Sequence, residues 1–230
     1  PAESQVHKQV VRKAASNRAI EMNPATRLYF IEVAEPDMHN PSGDFERLSQ
    51  ALRDQWRVTT PTCDLSILTT LQTTLREGKW QVTVAVYIDK TGDAPRITGI
   101  WPGLHEAGIF GLAIDLGSTT VATHLCDLKS GDVVASSGIM NPQIRFGEDL
   151  MSRVSYSMIN SGGYREMTDA VRAAINLLID ELAQEAAVDN TQILEVVFVC
   201  NPVMHHLLLG IDPVELGQAP FALATSDSMS

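Results

Sequence analysis

The run Asp115-Leu116-Gly117-Ser118-Thr119-Thr120 gathers a carboxylate, a residue without a side chain and a string of hydroxyls. An apolar stretch ending at Ile114 precedes it and Val121 to Cys126 follows, so the run reads as a tight turn between two buried strands. Glycine at such a turn lets the backbone bend sharply and come close to an oxyanion. The amides of Ser118, Thr119 and Thr120 can then point inward as donors, and the hydroxyls add more. Asp115 would repel a bare phosphate, but it can hold magnesium, directly or through water, and the cation bridges to the phosphate. The same residue types also build ordinary hairpin turns. The order of parts favours the phosphate: strand, acidic glycine turn, strand, a Ser130-Gly131-Asp132 turn, and a third strand from Val133.

Other residues that could do chemistry have structural readings beside them. Glu148-Asp149 pairs two carboxylates, but at the start of a helix acids are favoured by the helix dipole. His205-His206 resembles a metal pair, yet neighbours on a helix point about 100 degrees apart and no third ligand lies at a usual spacing. Asn201, just past the apolar strand Ile193 to Cys200, is a second-tier site candidate, because ligands collect beyond strand ends in such sheets. Trp56, Trp80 and Trp101 could stack on a ligand, but fit core packing better. Cys63, Cys126 and Cys200 are too far apart for a local metal cluster and read as reduced, buried thiols. No catalytic base is identified.

The elements that must position the turn follow from periodicity. A polar helical stretch covers residues 1–25 and ends at Asn23-Pro24. Leu28 to Val33 reads as a strand. Ser42 and Asp44 can cap a helix with Phe45, Leu48, Leu52 and Trp56 on one face. A second helix after Pro61 carries Leu65, Leu68, Leu71 and Leu75 and stops at a left-handed Gly78. Trp80 to Ile88 alternates as a strand, turns at Lys90-Thr91-Gly92-Asp93, and pairs with Ile97 to Trp101. After the meander, Asn141 to Gly147 is a loop. A helix burying Leu150, Val154 and Met158 comes next, then a longer one burying Met167, Ala170, Val171, Ala174, Ile175, Leu178 and Leu182.

The chain has 230 residues, 44% hydrophobic and 20% charged, enough for one large or two small cores. A net charge of -11 argues against a nucleic-acid partner. No apolar run approaches the roughly 20 residues of a membrane span, and no signal peptide is read, so the cytoplasm is the expected compartment.

Three stretches resemble a known family: Asp115 to Thr120; Asn141-Pro142-Gln143 with Gly147 to Arg153; and Asn201 with Met204 to Pro213. They resemble the ATP-dependent reductive activators of corrinoid proteins, whose nucleotide domain belongs to the acetate kinase, sugar kinase, heat-shock chaperone and actin superfamily. The resemblance implies an α/β chain: a linker at 1–25, a small α+β middle domain at 26–105, and at 109–230 the first lobe of an actin-like, ribonuclease H-like ATP-binding domain. It implies ATP-phosphate binding by Asp115, Gly117, Ser118, Thr119 and Thr120, with magnesium on Asp115 through water. The implied activity is one-electron reduction of cobalt(II) to cobalt(I) on a corrinoid protein or corrinoid-dependent methyltransferase, with a homodimer as one possible assembly. A two-iron two-sulfur cluster is expected only in a missing upstream domain, because no closely spaced cysteines are present. A second phosphate motif should lie beyond Ser230, so the chain reads as an interior fragment with little ATP binding of its own. The alternatives are a small-molecule kinase of the same superfamily and a non-catalytic docking or dimerisation module.

Overall fold

The computed structural model describes residues 23–39, 41–88 and 94–225. The helical stretch expected within 1–22 and the turn at Lys90 to Asp93 lie outside the described residues. The described residues form two compact units: residues 23–109 with 128–130, and residues 110–127 with 131–225.

In the first unit β1 (Thr26–Glu32), α1 (Asp44–Trp56), β2 (Thr62–Cys63), α2 (Leu65–Glu77), β3 (Gln81–Tyr87) and β4 (Arg96–Pro102) follow one another. The sheet order is β1-β3-β4-β2, antiparallel except that β2 runs parallel to β4. Strand β2 escapes periodicity because it is two residues long. Helix α1 buries Leu48, Ala51 and Leu52, but Trp56 is 50% exposed and sits at the helix end with its Nε1–H donating to the Phe30 carbonyl. Trp80 is partly buried against the core, and Trp101 stacks on His105.

Helix α2 is turned relative to the expected leucine face. Its buried stripe is Ile67, Leu71, Thr74 and Leu75, leaving Leu65 and Leu68 exposed. Gly78 ends it in right-handed backbone, not left-handed; positive φ falls on Lys79 and Trp80 instead. Glycine is needed there for space, since a Cβ would lie 2.2 Å from the Gln81 carbonyl oxygen.

The second unit is built on β5 (Phe110–Leu116), β6 (Thr120–Asp127) and β7 (Val133–Met140), the expected antiparallel meander. Strand β8 (Ile193–Cys200) lies parallel to β5, so the sheet order is β7-β6-β5-β8. Between β7 and β8 the chain forms a 3-10 turn (Pro142–Phe146) and the helices α3 (Leu150–Ile159) and α4 (Gly163–Ala186); α5 (Pro202–Leu209) follows β8. Leu112, Ile114 and Leu116 of β5 share one core with Met167, Val171, Ile175, Leu178 and Leu182 of α4 and with Met204 and Leu207 of α5. An apolar stripe at helical spacing meets alternating apolar residues of a strand, which is why the helices cover this face.

Helix α3 departs from expectation: Met158 is 47% exposed, and the buried residues are Arg153, Val154 and Ser157. Asp149 caps it by accepting from the Ser152 amide at 2.7 Å. That amide, then the Ser152 hydroxyl, holds the Asp149 carboxyl below its ordinary value. A depressed folded-state pKa means the cap's contribution is complete above the ordinary carboxylate range and is lost as pH falls through the lowered value. Asp149→Asn keeps an acceptor for the cap. It is expected to flatten the acid limb of the thermal-unfolding profile while changing stability little near neutral pH, as scanning calorimetry between acid and neutral buffers would show.

Candidate functional site

Register sets out the site. Leu116 is paired with Val121 on one side and Cys200 on the other, so the turn at Gly117 and the residue Asn201 leave adjacent parallel strands at the same end of the sheet. Ile114 and Leu116 point into the core, so alternation puts the half-buried Asp115 on the opposite face, beside Ala122 and Val199. Its charge is felt at Cys200, whose thiol is pushed up first by burial and then by Asp115.

Gly117 donates its amide to the Thr120 carbonyl at 2.9 Å and closes the turn. A Cβ there would lie 2.8 Å from that same oxygen, so the turn is tight enough to require glycine. The remaining carbonyls of the turn are each tied back into the lobe. The Gly117 oxygen accepts from Asn141 Nδ2 at 2.9 Å, the Ser118 oxygen from Arg153 Nη2 at 2.5 Å, and the Thr119 oxygen from the Asn141 amide at 2.8 Å. In a trans peptide the N–H points opposite to the preceding C=O, and the peptides here are trans. The Ser118 and Thr119 amides are thereby turned the other way, and among the described residues neither donates to a backbone carbonyl. Two oriented amides beside hydroxyls, with a carboxylate at the strand end, can hold an oxyanion and a hard cation.

The back of the turn is a buried polar lock. Asn141, Gln143 and Arg153 are all buried. Asn141 Oδ1 accepts from the Gln143 amide at 2.9 Å, Gln143 Nε2 donates to the Met167 carbonyl at 3.0 Å, and Arg153 Nε donates to the Gly147 carbonyl at 2.9 Å. Arg153 Nη1 also reaches Gln143 Oε1 and Met204 Sδ, each at 3.4 Å. Gly147 admits this packing because a Cβ would meet the Arg153 amide nitrogen at 2.7 Å.

Of the sequence candidates, the turn residues Asp115 to Thr120 and Asn201 come to one end of the sheet. Asn201 there also caps α5, its Oδ1 accepting from the Met204 amide at 3.0 Å. Glu148 and Asp149 sit at the head of α3, where Asp149 is a cap. His206 is buried with Nδ1–H donating to the Pro202 carbonyl and Nε2 accepting from the Ala224 amide, so both ring nitrogens are taken by protein. The three cysteines are half-buried, not buried as expected, because each lies at the end of a strand or on the less covered sheet face. Asn141, Gln143 and Arg153 were not singled out by residue chemistry; the signal was that Arg153 and Val154 stand in one helical stripe with Leu150 and Ser157.

The fold is mixed α/β, two units each built on a four-stranded sheet with helices, and comparison with known proteins is consistent with an actin-like fold. Residues 110–230 match the model of the RACo middle region and residues 15–107 that of the RACo linker region. The chain belongs to this family. It is similar to the corrinoid activation enzyme RamQ of Eubacterium limosum, 32% identical over 125 residues that make up 54% of this chain and 21% of RamQ. It is also similar to a solved reductive activator for corrinoid, iron-sulfur protein, 32% identical with a TM-score of 0.78, over 94% of this chain and 34% of that one. The chain thus spans about a fifth to a third of the length of these relatives. Among the described residues no helix is long and apolar enough to cross a membrane.

Proposed function

We propose that this chain is part of a reductive activator of corrinoid proteins and contributes the phosphate grip of its ATP site. In this reading 1–25 leads into a small α+β domain at 26–105, both falling largely in the stretch that the family model names the linker region, and 109–230, which the other model names the middle region, is the first nucleotide lobe of a cytoplasmic protein. The observation that carries it is the turn itself, with its carbonyls tied back and the Ser118 and Thr119 amides turned outward next to Asp115. The similar corrinoid activation enzyme and reductive activator support the choice of reaction class.

The residues present fit the group: glycine leaves the space a side chain would fill, two amides donate to no backbone carbonyl among the described residues, and Asp115 supplies a hard oxygen ligand. Ser118 and Thr119 would hold phosphate oxygens through backbone and hydroxyls, and Thr120 through its hydroxyl. Asp115 would orient magnesium through water, and Asn201 borders the same sheet end. ATP, when bound, supplies the free energy for the unfavourable reduction of the substrate cobalt(II) to cobalt(I) on a corrinoid protein or methyltransferase, the single electron coming from an iron-sulfur donor outside the described residues. The chain's own part is to orient these donors before the nucleotide arrives, so that little reorganisation accompanies binding.

Calorimetric titration of the complete activator with magnesium ATP, beside an Asp115→Asn variant, tests this. Binding by the unaltered protein that is lost in the variant, with cobalt(II) reduction lost in parallel by absorbance, is the expected result. Binding by neither sinks the reading and leaves a docking or dimerisation module. Phosphorylation of a sugar or carboxylic acid without cobalt reduction would make the protein a kinase instead.

A further inference from the structure

The geometry points to Arg153 as the positioning residue that orients the central peptide of the phosphate turn and places a buried positive charge directly behind it; this rests on the phosphate reading above. Arg153 is 0% exposed, and its bonding partners are uncharged: the carbonyls of Ser118 and Gly147, the amide oxygen of Gln143 and the thioether of Met204. The ion pairs of the described residues do not include it. Asp149 exerts a carboxylate's pull on it from the head of the same helix, but burial outweighs that pull and lowers the guanidinium's pKa.

A buried guanidinium held by neutral acceptors is an expensive choice for bracing a helix, since an apolar residue would fill the same space without the desolvation cost. Its position gives it a use. The cation bonds the Ser118 oxygen, and the hydrogen bond polarises that peptide, so the Thr119 N–H on its far side becomes a stronger donor. The same bond fixes the plane, and with it the direction, of that N–H. An anion arriving on the outer side of the turn meets a peptide dipole already aimed at it and, one peptide further in, a positive charge that no carboxylate of the described residues pairs with. The planar fork of arginine is what reaches Ser118 and Gly147 together; lysine carries the charge but has no second donor arm.

The test is binding of magnesium ATP, and separately of adenosine, to the complete activator and to its Arg153→Met and Arg153→Lys variants, with thermal unfolding of each. A residue that acts on the phosphate turn affects ATP and spares adenosine. Arg153→Met is expected to weaken ATP roughly tenfold to a hundredfold, the range of a lost charge-assisted hydrogen bond, with adenosine unchanged. Arg153→Lys is expected to recover part of the ATP affinity. Equal losses for ATP and adenosine would show that Arg153 only holds the lobe together and would overturn the inference, as would unchanged ATP affinity in either variant. If Arg153→Met does not fold, the lysine variant decides on the same ATP-to-adenosine comparison. Failure of the unaltered activator to bind ATP overturns the phosphate reading and this inference together, whereas normal binding that Arg153 does not affect overturns this inference alone.

Discussion

Asn141→Leu is expected to destabilise the second unit by about 3 kcal/mol, because one residue serves both the turn and the helix that follows it. Its Nδ2 holds the Gly117 carbonyl and its Oδ1 caps the 3-10 turn at the Gln143 amide. Leucine is close in size, so the site stays filled, but it leaves a part-buried carbonyl and a buried amide without partners. The backbone bond from the Asn141 amide to the Thr119 carbonyl survives the change, which separates loss of the side chain from loss of the strand. Urea unfolding of Asn141→Leu beside the unaltered chain would measure the cost. A change below about 1 kcal/mol would mean that water takes over both contacts and that the lock is not buried as described.

Leu178→Ala is expected to cost about 2 to 5 kcal/mol, whereas Leu177→Ala, its sequence neighbour, should stay within roughly 0.5 kcal/mol. Leu178 is 1% exposed in the core shared by α4 and β5; Leu177 is 64% exposed. Truncating the first removes apolar contact and leaves a cavity between helix and sheet, while the second loses only surface in contact with water. The pair makes a clean comparison because both sit in mid-helix, so the propensity change from leucine to alanine is the same and cancels. Thermal or urea unfolding of the two variants side by side would check it, and similar losses in both would place α4 wrongly on the sheet.

What could be read from the sequence was whatever is local or periodic. The glycine turn between β5 and β6 declared itself because Asp115 to Thr120 stands between two apolar strands. The long stripe of α4 did so because many residues at helical spacing leave little choice of face. Short helices were less legible. In α2, leucines at positions 65 and 68 suggested a face that the fold does not bury, since Ile67 and Thr74 complete the true stripe with Leu71 and Leu75. In α3, counting only apolar residues promoted Met158 and passed over Arg153 and Ser157, which occupy the buried side. Arginine in a core runs against every prior, and only its contacts across the chain to Ser118, Gly147 and Met204 account for it. The tie from Asn141 to Gly117 is likewise a pairing between distant positions that spacing cannot reveal. Of the candidate site, then, the front of the turn was legible and its back was not.

The parallel pairing of β5 with β8 carries a consequence for the order in which the lobe assembles. The meander from Phe110 to Met140 pairs neighbours in sequence, but β8 reaches β5 only after both long helices intervene. Loop closure over such a separation is entropically costly and slow compared with hairpin formation. During synthesis the glycine turn is therefore complete well before Arg153 and Met204 have left the ribosome. It passes through an interval with its Gly117 carbonyl already within reach of Asn141 but its Ser118 carbonyl hydrated, and acquires its fixed shape only when α3 brings in Arg153 and α5 sets Met204 against it.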